Sequence, residues 1–233
     1  MGPIATLALV PQQSELRPLI AGLSNRGMEA ESANLGSLRV HYYEPLKLAV
    51  ALGGHGKAQM AVQTQYLIDR CPGVENVLCI GAAGALSTEL RFGDLVIGTS
   101  CIEHDYTLRF IDPSLPVHKP DEALVRSLQR DECIRALPFT VHFGAIASGD
   151  EDIVDAERAA ELREATDALC VAWEGSGAAR AASFNGLGFL EIRAITDAAD
   201  ATAKRSFDEN LEIAMPNVSE LLVRWADVLM RGP

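Results

Sequence analysis

The sequence predicts an α/β protein: a single domain over residues 1–233, with one mixed β-sheet flanked by helices. Short runs rich in Val, Ile, Leu and Phe alternate along the whole chain with stretches whose apolar residues recur at helical spacing. With 233 residues, 48% of them hydrophobic and 22% charged, the chain can bury a core without disulfides or a structural metal. Composition does not shift anywhere, and no repeat or low-complexity linker divides the chain.

The elements follow in order. Ile4–Val10 reads as a buried first strand, and Ser14–Leu23 as a helix carrying Leu16, Leu19, Ile20 and Leu23. Leu38–Tyr43 and Leu46–Leu52 form a hairpin around Glu44 and Pro45. A helix over Lys57–Arg70 leads to a buried strand at Asn76–Ile80. Asp94–Ile102, His142–Ser148, Leu169–Trp173 and Phe189–Ile195 are further strands, rich in Val, Ile and Phe. Helices are expected over Asp155–Thr166, over Gly175–Asn185 and from about Phe207 to Met230, the last opened by a Ser206/Glu209 capping box. Thr107–Lys119, with Pro113 and Pro116, lacks periodicity and reads either as a surface loop or as a ligand lid or subunit contact.

Charge narrows the function. Twenty Lys and Arg against 32 Asp and Glu leave a net charge of −12, which disfavours a binder of nucleic-acid backbones and favours a small ligand. No apolar run approaches the ~20 residues of a membrane helix, and MGPIATLALV lacks the cationic start of a secretion signal. The five cysteines (71, 79, 101, 133 and 170) form no Cys-x-x-Cys pair, as expected of a reducing cytoplasm without a zinc site.

Two glycine-rich segments follow apolar strands. Gly53-Gly54-His55-Gly56-Lys57 opens a helix and reads as a tight turn or a ligand loop. It is not a P-loop, because Ala51 stands where the first glycine belongs and Ala58 replaces the magnesium-holding Ser or Thr. Gly81-Ala82-Ala83-Gly84-Ala85 is expected to be a second loop beside one crevice. Apolar strands also deliver three acids: Glu15, just after the first strand, Glu174 after Leu169–Trp173, and Asp197 after Phe189–Thr196. A carboxylate at the end of a core strand is partly desolvated, which raises its pKa and suits proton transfer. Each has the alternative of a helix cap or a surface charge.

Taken in series, Gly-His-Gly-Lys-Ala (54–58), Ile-Gly-Ala-Ala-Gly-Ala (80–85), Phe-Gly-Asp-Leu-Val-Ile (92–97), Ser-Gly-Asp (148–150), Trp-Glu-Gly (173–175), Arg-Ala-Ile-Thr-Asp-Ala-Ala-Asp (193–200) and Ser-Phe-Asp-Glu-Asn-Leu (206–211) resemble the purine nucleoside phosphorylase superfamily. They are most similar to its methylthioadenosine and S-adenosylhomocysteine nucleosidases. The resemblance implies a nucleoside phosphorylase-like fold and hydrolysis of the N-ribosidic bond of a purine nucleoside, of adenosine type with a 5′-thio substituent. No metal or cofactor is implied, and the expected partners are a small-molecule nucleoside and further copies of the chain in a homodimer or larger homo-oligomer.

By the same resemblance, Asp197 is the acid at N7 of the purine and Glu15 the carboxylate that activates water. Glu174 grips the ribose hydroxyls, with Trp173 beside it where the family usually has Met. Gly84 and Ile153 meet the ligand through backbone atoms, and Arg193 and Thr196 support the acid. Phosphorylases of the superfamily place arginines around phosphate, and the matching positions here are Glu15 and Cys79. A dianionic phosphate beside an unpaired carboxylate is unfavourable, so water is the expected nucleophile. Phosphorolysis, or nucleoside binding without catalysis, are the alternatives. The chain departs from the nucleosidases at Asp152, where they carry an aromatic residue against adenine, and at Ala82, often a Ser.

Overall fold

The computed structural model describes residues 2–108, 110, 114–130 and 132–231. In chain order these form β1 (Thr6–Val10), α1 (Gln13–Ser24), β2 (Glu31–Leu35), β3 (Leu38–Tyr43), β4 (Leu48–Leu52), α2 (Lys57–Ile68), β5 (Asn76–Ala85), β6 (Leu95–Glu103), β7 (Val117–His118), α3 (Glu122–Arg130), α4 (Glu132–Arg135), β8 (Val141–Ser148), α5 (Ala156–Thr166), β9 (Cys170–Ala172), α6 (Gly175–Phe184), β10 (Gly188–Asp197) and α7 (Ala203–Arg231).

Strands β5, β10, β6, β8 and β9 pair in a closed circuit, because β10 pairs with both β5 and β6 and β9 with both β8 and β5. An arm β1-β4-β3-β2 extends from β5. Pairing is mixed: β1 runs parallel to β4 and β5, while β10 and β6 are antiparallel. Helices cover both faces, so the central strands are buried on both sides and β1 is apolar on both faces rather than at alternate positions. Along β1, Ala8 and Val10 join a cluster with α1, α3 and α7, whereas Leu7 and Leu9 join one with α2 and α6. The small residues of α6 let it approach the start of α2: a Cβ on Gly177 would lie 2.2 Å from the Lys57 carbonyl oxygen. No helix among the described residues is long and apolar enough to cross a membrane.

The fold corrects several expectations. Gly81–Ala85 is not a loop but the second half of β5, Gly81 to Gly84 held in register with Arg193 to Asp197 of β10 and Ala85 with Cys170 of β9. The last helix starts a turn early, at Ala203, so Ser206 lies inside it and the Ser206/Glu209 capping box does not open it. The chain enters this helix through Asp200, whose side chain accepts the Thr202 N–H at 2.8 Å. Strand β2 and helices α3 and α4 were not anticipated, and the irregular stretch contains β7. Residues 109 and 111–113 of that stretch, Pro113 among them, lie outside the described residues, as does the Cys133 side chain. Cys71, Cys79, Cys101 and Cys170 are free and buried.

Candidate active site

A cavity of about 480 Å³ opens where the chain leaves β1, β4, β8, β9 and β10. Its wall includes Glu15, Gly84, Ile153, Trp173, Glu174 and Asp197, so elements far apart in the chain bring these residues to one space. A larger hollow of about 980 Å³, around Phe92, Phe139 and Ile213, contains none of the three acids, and we place no chemistry there.

Glu15 stands in the first turn of α1 and is 3% exposed. On the edge of β5, pairing with β1 stops at Cys79 and pairing with β9 begins at Gly84. Ala82 lies in that gap, and its N–H donates to Glu15 Oε1 at 2.7 Å. The Gln12 N–H donates to Oε2 at 3.1 Å. Burial, reinforced by the charge of Glu174, pushes the Glu15 pKa up to about 7, against the opposing pull of these donors and of Arg193. That value suits a group that takes a proton near neutrality. A Cβ on Gly81 would lie 2.7 Å from Glu15 Oε1 and 2.5 Å from Arg193 Nη1, so glycine there makes room for both.

Glu174 occupies the N-cap position of α6 without capping it. Its Oε1 accepts the Gly56 N–H at 3.2 Å and lies 3.5 Å from His55 Nδ1, while Oε2 lies 3.3 Å from Arg193 Nη2. Burial acts to raise its pKa, but His55, Arg193 and the Gly56 N–H outweigh it and hold the group ionised, below the usual carboxylate range. Ser148 fixes the approach to α6: its hydroxyl donates to the Trp173 carbonyl at 2.8 Å and its oxygen accepts the Ser176 N–H at 3.0 Å.

Asp197 closes β10 and is 8% exposed. The Ala199 N–H donates to Oδ1 at 3.0 Å and the Thr196 hydroxyl to Oδ2 at 3.0 Å. Burial raises its pKa in spite of these two donors, favouring a protonated acid. The turn places Ala199 at φ +50°, a strained conformation for alanine. A Cβ on Gly84 would lie 2.7 Å from Asp197 Oδ1, so this glycine clears space for the acid.

Arg193 and Thr196 lie behind the wall rather than in it. Thr196 touches Asp197, but Arg193 does not support that acid. It is fully buried, with Nε donating to Glu191 Oε1 at 2.8 Å and Nη1 to the Ala82 carbonyl at 3.3 Å, and so stands behind Glu174 and Glu15. Asp152 lines the cavity with an exposed side chain. The sequence reading missed Phe207, because placing the helix start there hid that it lies one turn inside α7 and faces the cavity. It also missed Glu191, whose only signal was a charge two residues before Arg193 within a buried strand.

The family model of the Phosphorylase superfamily matches residues 9–226. The 5′-methylthioadenosine/S-adenosylhomocysteine nucleosidase of Bacillus licheniformis is 32% identical over 192 residues, covering 78% of this chain and 82% of that one. The aminodeoxyfutalosine nucleosidase of Helicobacter pylori is 30% identical over 213 residues, covering 87% and 91%. Among solved structures, the Helicobacter pylori 5′-methylthioadenosine/S-adenosylhomocysteine nucleosidase with butyl-thio-DADMe-Immucillin-A superposes with a TM-score of 0.83 at 27% identity, covering 97% of this chain and 99% of that one. With this likeness running through the strands that deliver all three acids, the chain belongs to the phosphorylase superfamily, on the branch that holds the 5′-methylthioadenosine/S-adenosylhomocysteine nucleosidases.

Proposed function

We propose that the cavity hydrolyses the N-ribosidic bond of an adenosine-type nucleoside with a 5′-thio substituent, releasing the free base. The observation that carries this reading is one cavity lined by three buried acids of different proton affinity: Glu174 lowered, Glu15 raised to about 7 and Asp197 raised by burial. Water attacks the anomeric carbon and gives its proton to Glu15. The C–N bond breaks, its electron pair passes into the purine, and Asp197 delivers a proton to N7. Anionic Glu174 holds the ribose hydroxyls and stabilises the positive charge that grows on the sugar, by analogy with O-glycoside hydrolysis.

The electrostatics favour water over phosphate. His55 and Lys204 are the cationic or protonatable nitrogens on the wall, against the carboxylates of Glu15, Glu151, Asp152, Glu174, Asp197 and Asp208. Cys79 is buried, and Arg17 is exposed and pairs with Glu212. Adding phosphate to the assay is expected to leave the rate unchanged, with free sugar rather than ribose 1-phosphate as product by mass spectrometry. Phosphate-dependent turnover would reverse the assignment.

The exposed apolar residues Val62, Val117 and Phe184 belong to α2, β7 and α6, which pack together, and we propose that a second copy of the chain covers them in a cytoplasmic homo-oligomer. Light scattering is expected to give at least twice the mass of one chain, and Phe184→Glu to lower it. A wild-type monomer would remove this interface.

A further inference from the structure

The turn after β4 carries His55, which helps hold Glu174 ionised through one ring nitrogen and leaves the other without a hydrogen-bond partner among the described residues. Gly54 and Gly56 flank His55 at φ +84° and +83°, a conformation that glycine alone adopts easily. The turn is pinned on all sides. The Gly53 N–H donates to the Val10 carbonyl at 2.8 Å, the Gly56 N–H to Glu174 and the Lys57 N–H to Asp150 Oδ1 at 2.8 Å. Lys57 Nζ bridges Glu103, at 3.0 Å, and Asp105.

So held, the imidazole lies against Trp173 with ring centroids 4.2 Å apart and 31° between the planes. Its Nδ1 is 3.3 Å from Gln12 Nε2 and 3.5 Å from Glu174 Oε1. These contacts use one ring face and one nitrogen, and Nε2 has no hydrogen-bond partner among the described residues. The His55 side chain is 48% exposed while that of Glu174 is 4% exposed, which sets His55 at the mouth of the cavity, outward of Glu174. Asp152 lines the same cavity, is exposed, and likewise has no hydrogen-bond partner among the described residues. Its charge acts on His55, as do those of Glu174 and Glu15.

If Glu174 holds the ribose and Asp197 the base, the part of a nucleoside that reaches the mouth beside Glu174 is the substituent on C5′. We propose that His55 selects that substituent: with Nδ1 turned to Glu174, the Nε2–H of the protonated ring donates to the carboxylate of an amino-acid tail. The favoured substrate is therefore a 5′-thio nucleoside with a carboxylate-bearing tail rather than a bare methylthio group. This inference rests on the nucleosidase reading. It gives the outward nitrogen of His55 a role beside the one its other nitrogen has toward Glu174. A rigid loop suits such a role, because a donor already held in place loses little freedom on binding.

The test compares S-adenosylhomocysteine, its decarboxylated analogue and 5′-methylthioadenosine, by base release in the wild type and by calorimetry in Asp197→Asn. The wild type is expected to prefer S-adenosylhomocysteine to the decarboxylated analogue. His55→Leu should lower the ratio of kcat/KM for S-adenosylhomocysteine to that for the decarboxylated analogue about 10- to 100-fold, the range for losing a hydrogen bond to a charged group, because any loss that comes through Glu174 falls on both substrates alike. His55→Gln, which keeps a donor, should restore part of the loss. Equal losses on both substrates, or no preference between them in the wild type, would overturn the proposal. Selective binding of the carboxylate-bearing nucleoside without base release from any nucleoside would instead sink the nucleosidase reading and leave the selection standing.

Discussion

Asp197→Asn is expected to stop base release while the protein still folds and still binds nucleoside. The asparagine carbonyl can take over the Ala199 N–H, now held at 3.0 Å by Oδ1. Its amide then faces the Thr196 hydroxyl, which can turn its own hydrogen toward the Ala83 carbonyl, 3.4 Å away. The local bonds survive, but an amide has no proton to surrender to N7. One general-acid step contributes about 10²–10⁴ in rate, and kcat should fall by at least that much. The checks are steady-state base release, calorimetric binding of 5′-methylthioadenosine and a melting curve. Near-wild-type turnover would take Asp197 out of the reaction, whereas a collapsed melting transition would make it a structural residue.

Glu15→Gln should be as damaging to turnover and should carry a second signature in stability. The glutamine cannot accept the proton of water, so kcat is expected to fall about 10²–10⁴-fold. In the wild type, kcat/KM should rise with pH through an inflection near 7, where Glu15 loses its proton. A profile flat through neutrality would exclude it as the base. Folding sees the same shift with the opposite sign of benefit. Below the ordinary value of 4.5 the carboxyl is protonated in both folded and unfolded chains, and its ionisation has no bearing on stability. Between 4.5 and about 7 the unfolded chain ionises while the folded one keeps its proton, so stability drains away as pH rises. Above that window the loss is on the order of 3 kcal/mol at ~1.4 kcal/mol per pKa unit. Glutamine escapes it. Between pH 4.5 and pH 8 the stability difference should therefore move in favour of Glu15→Gln by roughly that amount in urea titrations. The one fixed cost of the variant, its amide facing the Gln12 N–H, is the same at both pH values and cancels. A pH-independent difference would refute the burial argument.

How the sequence and the structure divide the explanation is clearest at particular residues. Leu38–Tyr43, Asp155–Thr166 and Gly175–Asn185 were legible because strand-favouring residues such as Val40, Tyr42 and Tyr43, and helix-favouring runs of small and alternately apolar residues, act within a few residues. Asp155 accepts the N–H groups of Glu157 and Arg158, as a local signal should. Helix α3 carried a similar signal, since Asp121 Oδ1 accepts the Ala123 and Leu124 N–H groups and Leu124, Val125 and Leu128 are buried. It could have been found. Strand β2 could not: in Glu-Ser-Ala-Asn-Leu the alternation is confined to Ala33 and Leu35, and the segment becomes a strand because β3 pairs with it. Gly81–Ala85 misled for a related reason. Its residues are small because Arg193, Glu15 and Asp197 occupy the space beside them, which looks like a loop to any local rule.

The positions of the three acids near the ends of buried runs could thus be read in advance, with a helix cap or a surface charge left open at each. Their partners could not. The Ala82 N–H waiting for Glu15, Arg193 turned toward Glu174 instead of Asp197, and His55 seated on Trp173 each join elements separated by whole strands and helices. Local pattern decides what the backbone does over a few residues, and register and packing decide which side chains then meet. Ionisation follows from those meetings. Three similar carboxylates acquire three different proton affinities because burial and neighbouring charge act on distances that exist only after the chain has folded.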